Sequence, residues 1–139
     1  MTGVQPGVRR KLPARREEVD RLCGELRAGL LAKLPRSERF AVELLLREAL
    51  MNAVAHGARD KRSAEIDCEV RPVAGGMKIR IADGGRGFDW RNCRSAAPSP
   101  LGDGGRGLPI LHRYASRVRF SGNGSQVELT RMFCQGEAS

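Results

Sequence analysis

One apolar stretch, residues 40–55, most constrains the fold of this chain. Its length and its nearly continuous apolar residues predict a helix with a buried face. Ser37 is predicted to cap the start of this helix and Gly57 to end it, because hydroxyl residues and glycine are favoured at those positions. Glu43 and Arg47 stand four positions apart, a spacing that predicts an ion pair on the solvated side. The other elements must therefore pack against the opposite side of this helix.

The second half of the helix carries a carboxylate, a carboxamide and an imidazole at four-residue intervals, from Glu48, Asn52 and His56. On a helix these side chains lie along one stripe, and the apolar neighbours place that stripe at the edge of the buried face. A carboxylate there needs a partner, and the stripe could hold a metal ion and a general base. The alternative is structural, with Glu48 paired to an arginine elsewhere and Asn52 and His56 bonded to backbone near the helix end. For His56 the structural role is favoured.

Hydrophobic period and turn residues predict the remaining elements. Pro13 ends a first strand whose charges suit a sheet edge, and Pro35 ends a helix whose apolar residues keep helical spacing to Leu34. Gly75 and Gly76 join two alternating runs into a hairpin. The predicted segments are strand 8–12, helix 19–34, hairpin strands 64–70 and 77–82, helix 107–114, and closing hairpin strands 117–120 and 127–133.

These elements predict one α+β domain over residues 1–139, a two-layer α/β sandwich with helices packed on one face of a mixed, mostly antiparallel sheet. A length of 139 residues with 40% apolar content suits one domain with its own core. Residues 1–7 are predicted to be flexible. Residues 89–105 lack a period and contain Pro98 and Pro100, which predicts a mobile loop that could act as a lid.

Composition narrows the class of protein. The formal net charge of +9 predicts attraction to polyanions, but an aromatic content of 4% leaves few side chains to stack on bases, so direct nucleic-acid binding is disfavoured. The four cysteines are scattered without a C-x-x-C pair, which predicts free thiols rather than a metal site. The apolar runs are too short to span a membrane and the start of the chain does not resemble a signal peptide, so a cytoplasmic location is expected.

A glycine-rich segment follows the predicted lid. Residues 102–107 satisfy G-x-G-x-x-G, but they follow a loop rich in proline and serine, whereas a dinucleotide fingerprint follows a strand. No P-loop signature is present in the sequence. Backbone amides from Gly104 to Leu108, at the start of a helix, could nevertheless bind phosphate, with Arg106 adding charge. The alternative is a flexible turn.

A second glycine-rich segment precedes the lid and begins at Asp83, where a predicted strand ends. The Asp83 carboxylate could accept a hydrogen bond from an exocyclic amine such as adenine N6. Gly85 and Gly87 would let the ring approach the backbone. The alternative is that Asp83 only forms an Asx turn.

The order of these motifs resembles the GHKL, or Bergerat-fold, ATP-binding domains, and the resemblance covers nearly the whole chain. The matching segments are Glu48-Ala49-x-x-Asn52-Ala53-x-x-His56-Gly57, Asp83-Gly84-Gly85-Arg86-Gly87-Phe88-Asp89 and Gly105-Arg106-Gly107-Leu108. Within that superfamily they look most like the stand-alone anti-sigma-factor serine/threonine kinases, the RsbW and SpoIIAB group. The resemblance implies the Bergerat fold and protein kinase activity with ATP and Mg²⁺ as cofactors.

The resemblance also implies a role for each matching residue. Glu48 would be the general base that takes the proton of an incoming hydroxyl, and Asn52 would be the ligand of Mg²⁺ on the ATP phosphates. Asp83 would bind adenine. The adenine pocket would include Gly85, Gly87 and Ser125. At position 125 the family commonly has threonine. The phosphates would be held by Gly104, Gly105, Arg106, Gly107 and the amide of Leu108.

The resemblance implies partners as well. The substrate would be a STAS-type anti-anti-sigma protein, a sigma factor or similar regulator would compete for the kinase, and the kinase would be a homodimer. Arg21 occupies a place where such kinases can present a partner-contacting arginine, although a solvated arginine is the simpler interpretation. Two alternatives stay open: a non-catalytic, nucleotide-gated binding module, and a basic nucleic-acid-binding domain that uses the same scaffold.

Overall fold

The computed structural model describes residues 6–60, 65–83, 107–121 and 126–133, which contain three helices and five strands. The elements in chain order are β1 (Val8–Pro13), α1 (Arg16–Ala28), α2 (Arg36–Asp60), β2 (Glu65–Val73), β3 (Gly76–Asp83), α3 (Gly107–Tyr114), β4 (Arg117–Ser121) and β5 (Gln126–Met132). Every predicted strand and helix in these ranges is present.

The five strands form one sheet in the order β1-β2-β3-β5-β4. Each neighbouring pair is antiparallel, so the described sheet is antiparallel throughout rather than mixed. The alternation in the sequence holds, since Ile66, Cys68 and Val70 on β2 are all buried on the same face. The predicted α+β class is therefore confirmed, and β1 is an edge strand as expected.

The core lies between this face of the sheet and the three helices. Helix α2 is its centre, because it contacts α1, α3, β2 and β3. Leu45, Leu46, Ala49 and Leu50 of α2 are completely buried, as the apolar stretch predicted. Burial of each leucine side chain contributes about 2 kcal/mol to folding, which fixes the position of α2 in the domain.

Helix α1 ends earlier than its apolar period predicted. It stops at Ala28, and Gly29 donates its backbone N–H to the carbonyls of Glu25 and Leu26, both at 3.1 Å. Successive turns then carry the chain to Leu34. The apolar spacing predicted a longer helix because Leu31, which lies in these turns, is fully buried like a core residue of a helix.

The predicted limits of α2 are also corrected. The helix starts at Arg36, with the Arg39 N–H bonded to the Pro35 carbonyl at 2.8 Å, so Ser37 lies inside the helix and is not its cap. It continues to Asp60, and Gly57 therefore does not end it. One internal glycine costs a helix only about 1 kcal/mol, which is too little by itself to end a helix of 25 residues.

The predicted ion pair between Glu43 and Arg47 is replaced by two contacts with α1. Arg27 donates from Nε to both carboxylate oxygens of Glu43 at 3.1 Å, and Arg47 Nη1 lies 2.7 Å from Asp20 Oδ1. These two bridges fix the orientation of α1 on α2.

The other face of the sheet is polar and carries ion pairs between neighbouring strands. The pairs are Arg9–Asp67 at 3.0 Å, Arg80–Glu69 at 2.9 Å and Lys78–Glu128 at 3.9 Å. Opposite charges placed across neighbouring strands support the register of the sheet. Some of the arginine and lysine side chains therefore form ion pairs within the domain and are not available to a partner.

Cys23 and Cys68 are free and buried, as predicted for these two cysteines. Burial raises the pKa of the Cys68 thiol to about 12 and also raises the pKa of Cys23, so neither is a reactive thiolate at neutral pH. The described residues contain no cluster of side chains suited to a metal ion and no helix long and apolar enough to cross a membrane. Cys93 and Cys134 lie outside the described residues.

Candidate nucleotide-binding site

Elements that carry predicted site residues run toward one end of the sheet, which we call the site end. There β3 ends at Asp83, opposite Ile66 near the start of β2. Helix α2 ends within a few residues of that same start, since only residues 61–64 join Asp60 to Glu65. Helix α3 begins at Gly107 and returns to the opposite end within eight residues, where β4 follows.

Asn52 is the most informative residue at the site end. It is 6% exposed, and its side-chain Nδ2 is buried without a hydrogen-bond partner among the described residues. Buried polar groups in proteins are nearly always hydrogen-bonded, because an unpaired one costs about 1–3 kcal/mol. The nitrogen and oxygen of a carboxamide exchange places by rotation about one bond, so the group can present either atom to a ligand. An orphaned amide here fits a residue whose partner is a bound molecule.

Glu48 lies one helical turn before Asn52 on α2 and is half-buried. Side chains at this spacing have Cβ atoms about 5–6 Å apart on one helix face. The expected stripe at the margin of the buried face is therefore present for these two residues. A carboxylate so close to the orphaned amide can act on the same ligand.

Asp83 is the last residue of β3, and its backbone belongs to the central strand of the sheet. The strand therefore ends where the sequence predicted, and it carries Asp83 to the site end. Its side chain is not among the parts of the chain that the structure describes, and neither are Gly85 and Gly87. Their proposed contact with adenine stays a prediction.

Gly107 and Leu108 are the first two residues of α3, as predicted. Backbone N–H groups in the first turn of a helix have no partner within the helix and carry partial positive charge. Pro109 follows in that turn, where its missing N–H removes no helical bond. The start of α3 thus has the geometry that a phosphate-binding helix requires.

Other predicted residues cannot be located. Gly104, Gly105, Arg106 and Ser125, the predicted lid at 89–105 and the turn at 122–124 all lie outside the described residues. The side chain of His56 also lies outside them, although its backbone belongs to α2. Of the predicted site, the structure describes the side chains of Glu48 and Asn52 on α2 and the backbone at the end of β3 and at the start of α3.

One buried ion pair was not predicted. Glu38, in the first turn of α2, is 5% exposed and binds Arg131 of β5 through two hydrogen bonds at 2.8 and 3.3 Å. Arg131 also donates to the backbone carbonyl of Tyr114 at 2.8 Å. In the sequence Glu38 is only an acidic residue near a helix start. No local signal identifies a partner 93 positions away.

Comparison with known families agrees with this arrangement. A family model described as the histidine kinase-like ATPase domain matches residues 12–131. The match extends from β1 to β5 and includes all three helices. Sequence comparison with curated proteins gives no significant match.

The chain belongs to the histidine kinase-like ATPase domain family. Its general activity is accordingly ATP binding, with use of ATP for phosphoryl transfer as the kinase-like domain suggests. The residues present suit ATP, because the described site end offers a carboxylate, the first turn of a helix, and a buried carboxamide whose Nδ2 has no partner among the described residues. Oxygen ligands of this kind also suit Mg²⁺.

Proposed function

We propose that this protein is an ATP-dependent serine/threonine-protein kinase that acts as an anti-sigma factor. It would phosphorylate a STAS-type anti-anti-sigma protein and sequester a sigma factor or a similar regulator. The observation that carries this proposal is the pair on α2: Glu48 is half-buried, and one turn later Asn52 is buried with no partner for its Nδ2 in the described part of the chain. A domain that only retained ATP would need the Asn52 contact but not a carboxylate next to it.

The proposed site residues would each make a different contact with Mg²⁺-ATP. Asn52 would present its side-chain oxygen to Mg²⁺, which would otherwise need another hard ligand from the protein. The amides at the start of α3, including that of Leu108, would donate to the phosphates. Asp83 would accept from the adenine amine. When bound, ATP supplies the phosphoryl group, and Mg²⁺ neutralises part of the negative charge of the phosphates.

Glu48 would act on the second substrate. Its carboxylate would accept the proton of a serine or threonine hydroxyl as that oxygen attacks the γ-phosphorus of ATP. The bond from this phosphorus to the bridging β-phosphate oxygen would break and ADP would leave, so the protein substrate becomes a phosphate ester and Glu48 is left protonated. A base must reach the proton that it removes. The position of Glu48 one turn from Asn52 supports its role as the base, because both side chains could then reach one reacting group.

The partners are proposed on the resemblance together with the charge of the chain. A net charge of +9 would accelerate encounters with an acidic antagonist or regulator. Arg21 is well placed for such contact, since its side chain is 72% exposed on α1. We also propose that the kinase is a homodimer.

The test is transfer of labelled phosphate from ATP to a purified STAS-domain protein, with Glu48→Gln beside the wild type. This change keeps the size of the side chain and removes its basicity, so we expect transfer to fall by about 100-fold or more with ATP binding preserved. Glu17→Gln is the matched control. Glu17 is an exposed carboxylate on α1, and its change should leave transfer unaltered.

Two results would contradict the proposal. Full activity of Glu48→Gln would remove the proposed base. ATP binding without transfer to any STAS-domain protein or to a serine-containing peptide would favour the nucleotide-gated binding module instead. Acid-stable phosphate on the acceptor, in contrast to the acid-labile phosphate of histidine, would support transfer to a hydroxyl.

A further inference from the structure

A groove of about 970 Å³ lies at the end of the domain opposite the site end. It is formed by the start of α2, the end of α3 and β5, and its principal side chains are those of Arg36, Phe40, Arg113, Tyr114 and Arg131. Phe40 precedes Asn52 by twelve residues on one helix, a distance of about 18 Å along its axis. The groove is therefore separate from the nucleotide-binding residues, and we call it the far groove.

Two aromatic rings form the apolar part of the far groove. Phe40 is 58% exposed, although it is among the most hydrophobic residue types. A single exposed apolar residue is common on protein surfaces. Phe40, however, meets the ring of Tyr114 edge-on, with centroids 6.4 Å apart and an interplanar angle of 78°. The second ring holds Phe40 in one position, so the pair offers a preformed apolar surface.

The rest of the far groove is basic. The guanidinium of Arg113 lies 5.9 Å from the centroid of the Tyr114 ring, a cation–π distance. Neither Arg113 nor Arg36 pairs with a carboxylate in the described part of the chain, whereas the charge of Arg131 is compensated by Glu38. Arg131 is therefore held in place by its ion pair, whereas Arg36 and Arg113 place two positive charges beside the rings with no carboxylate partner among the described residues.

We propose that the far groove binds an acidic segment of a partner protein that inserts one aromatic side chain against Phe40 and Tyr114. Charge complementarity favours this occupant, because the two unpaired arginines would meet carboxylates while the rings bury the aromatic anchor. Arginine and aromatic residues are also the types most enriched at the energetic centres of interfaces. The proposal does not depend on kinase activity, since no residue of the groove belongs to the nucleotide site.

The test measures fluorescence anisotropy of a short labelled peptide of aspartate and glutamate residues with one central tryptophan, titrated with the full chain at about 0.15 M salt. The comparison peptides replace the tryptophan with serine, or the acidic residues with lysine. Three variants are measured: Phe40→Ala, the double change Arg36→Gln with Arg113→Gln, and the control Arg16→Gln, an exposed arginine at the start of α1. All changed side chains are on the surface, and a thermal melt checks that each variant is folded.

We expect the acidic tryptophan peptide to bind the wild type, and Phe40→Ala and the double arginine variant each to weaken binding by about tenfold. The control should bind within about twofold of the wild type, a difference below about 0.5 kcal/mol. Equal binding of the serine peptide, or full binding by Phe40→Ala, would reduce the effect to general attraction between opposite charges and overturn the proposal. Self-association that Phe40→Ala abolishes, in the absence of peptide binding, would instead assign the far groove to a second copy of the chain.

Discussion

At the scale of single residues, Asn52 has the clearest conflict between stability and function. Its Nδ2 is buried without a partner among the described residues, in the second half of the helix at the centre of the core. Leucine has the same branched heavy-atom skeleton and would avoid that cost. The asparagine is therefore explained by what it binds rather than by what it adds to the fold.

Asn52→Leu should make the domain more stable and inactive. We expect the free energy of unfolding to rise by about 1 kcal/mol, because a buried amide without a partner is replaced by an apolar side chain. Binding of Mg²⁺-ATP, measured by isothermal titration calorimetry, should fall below detection. A variant that is destabilised and still binds Mg²⁺-ATP would contradict the role given to Asn52.

The pairing of charged residues was the part of the structure that the sequence predicted least well. Glu43 was expected to pair with Arg47 on its own helix, but it pairs with Arg27 of α1. Glu38 and Arg131 are 93 positions apart and meet only after the sheet and α2 have packed. Spacing along one helix gives local neighbours, whereas tertiary packing decides which of them actually pair.

Glu38→Gln should destabilise the fold, because it leaves the guanidinium of Arg131 largely buried without its charge partner. We expect a loss of about 3 kcal/mol in the free energy of unfolding, measured by urea denaturation. The double change Glu38→Leu with Arg131→Met should recover most of that loss. Glu25→Gln, at an exposed carboxylate on α1, is the control and should change little. A double variant less stable than Glu38→Gln would argue that the pair is needed for more than charge balance.

At the scale of elements, the sequence predicted which segments form helices and strands better than where they end. The alternating runs in β2 and β3 identified both the strands and their buried faces, since a period of two has no helical counterpart. The end of α1 and the interior position of Gly57 in α2 were missed. The first miss depends on packing, because buried turns can continue an apolar period. The second reflects the small cost of one glycine, which a long helix can absorb.

Two glycines in different elements should respond oppositely to alanine. At Gly24, inside α1, no neighbouring atom lies within 4 Å of the place that an alanine Cβ would occupy, so Gly24→Ala should stabilise the domain by about 1 kcal/mol through helix propensity. At Gly76, at the start of β3, the same group would collide with the Arg131 carbonyl, so Gly76→Ala should cost about 2 kcal/mol or more. Thermal melts of the two variants test this. A rise in stability for both variants would contradict the close approach of the Arg131 backbone to Gly76.

The contact between α1 and α2 should depend on pH. The hydrogen bond from Arg27 lowers the pKa of Glu43 below its ordinary value of 4.5. A lowered folded-state pKa adds stability above pH 4.5, and that contribution is lost as the pH falls through the lower value. Arg27→Met should therefore lower the melting temperature at pH 7, and the difference from the wild type should narrow in acid. A difference that does not change down to about pH 3 would show that Arg27 acts through packing alone.

At the scale of the whole molecule, the sequence was sufficient for the fold because the order of motifs is tied to topology. Glu48 and Asn52 lie on the central helix, Asp83 ends the central strand, and Gly107 begins α3. These positions are far apart in sequence, and the topology directs the elements that carry them toward the site end. The far groove was not foreseen, because Phe40 and Tyr114 come together only through the packing of α2 on α3.

The measurement that tests the account most directly is the melting temperature of the wild type with and without Mg²⁺-ATP. At a concentration about 100 times the dissociation constant, binding to the folded state adds about 2.7 kcal/mol, or roughly 8 °C for a chain of this size. We predict this shift for the wild type and for Glu48→Gln, and its absence in Asn52→Leu. No shift in the wild type, or an equal shift in Asn52→Leu, would contradict the site proposed at the end of α2.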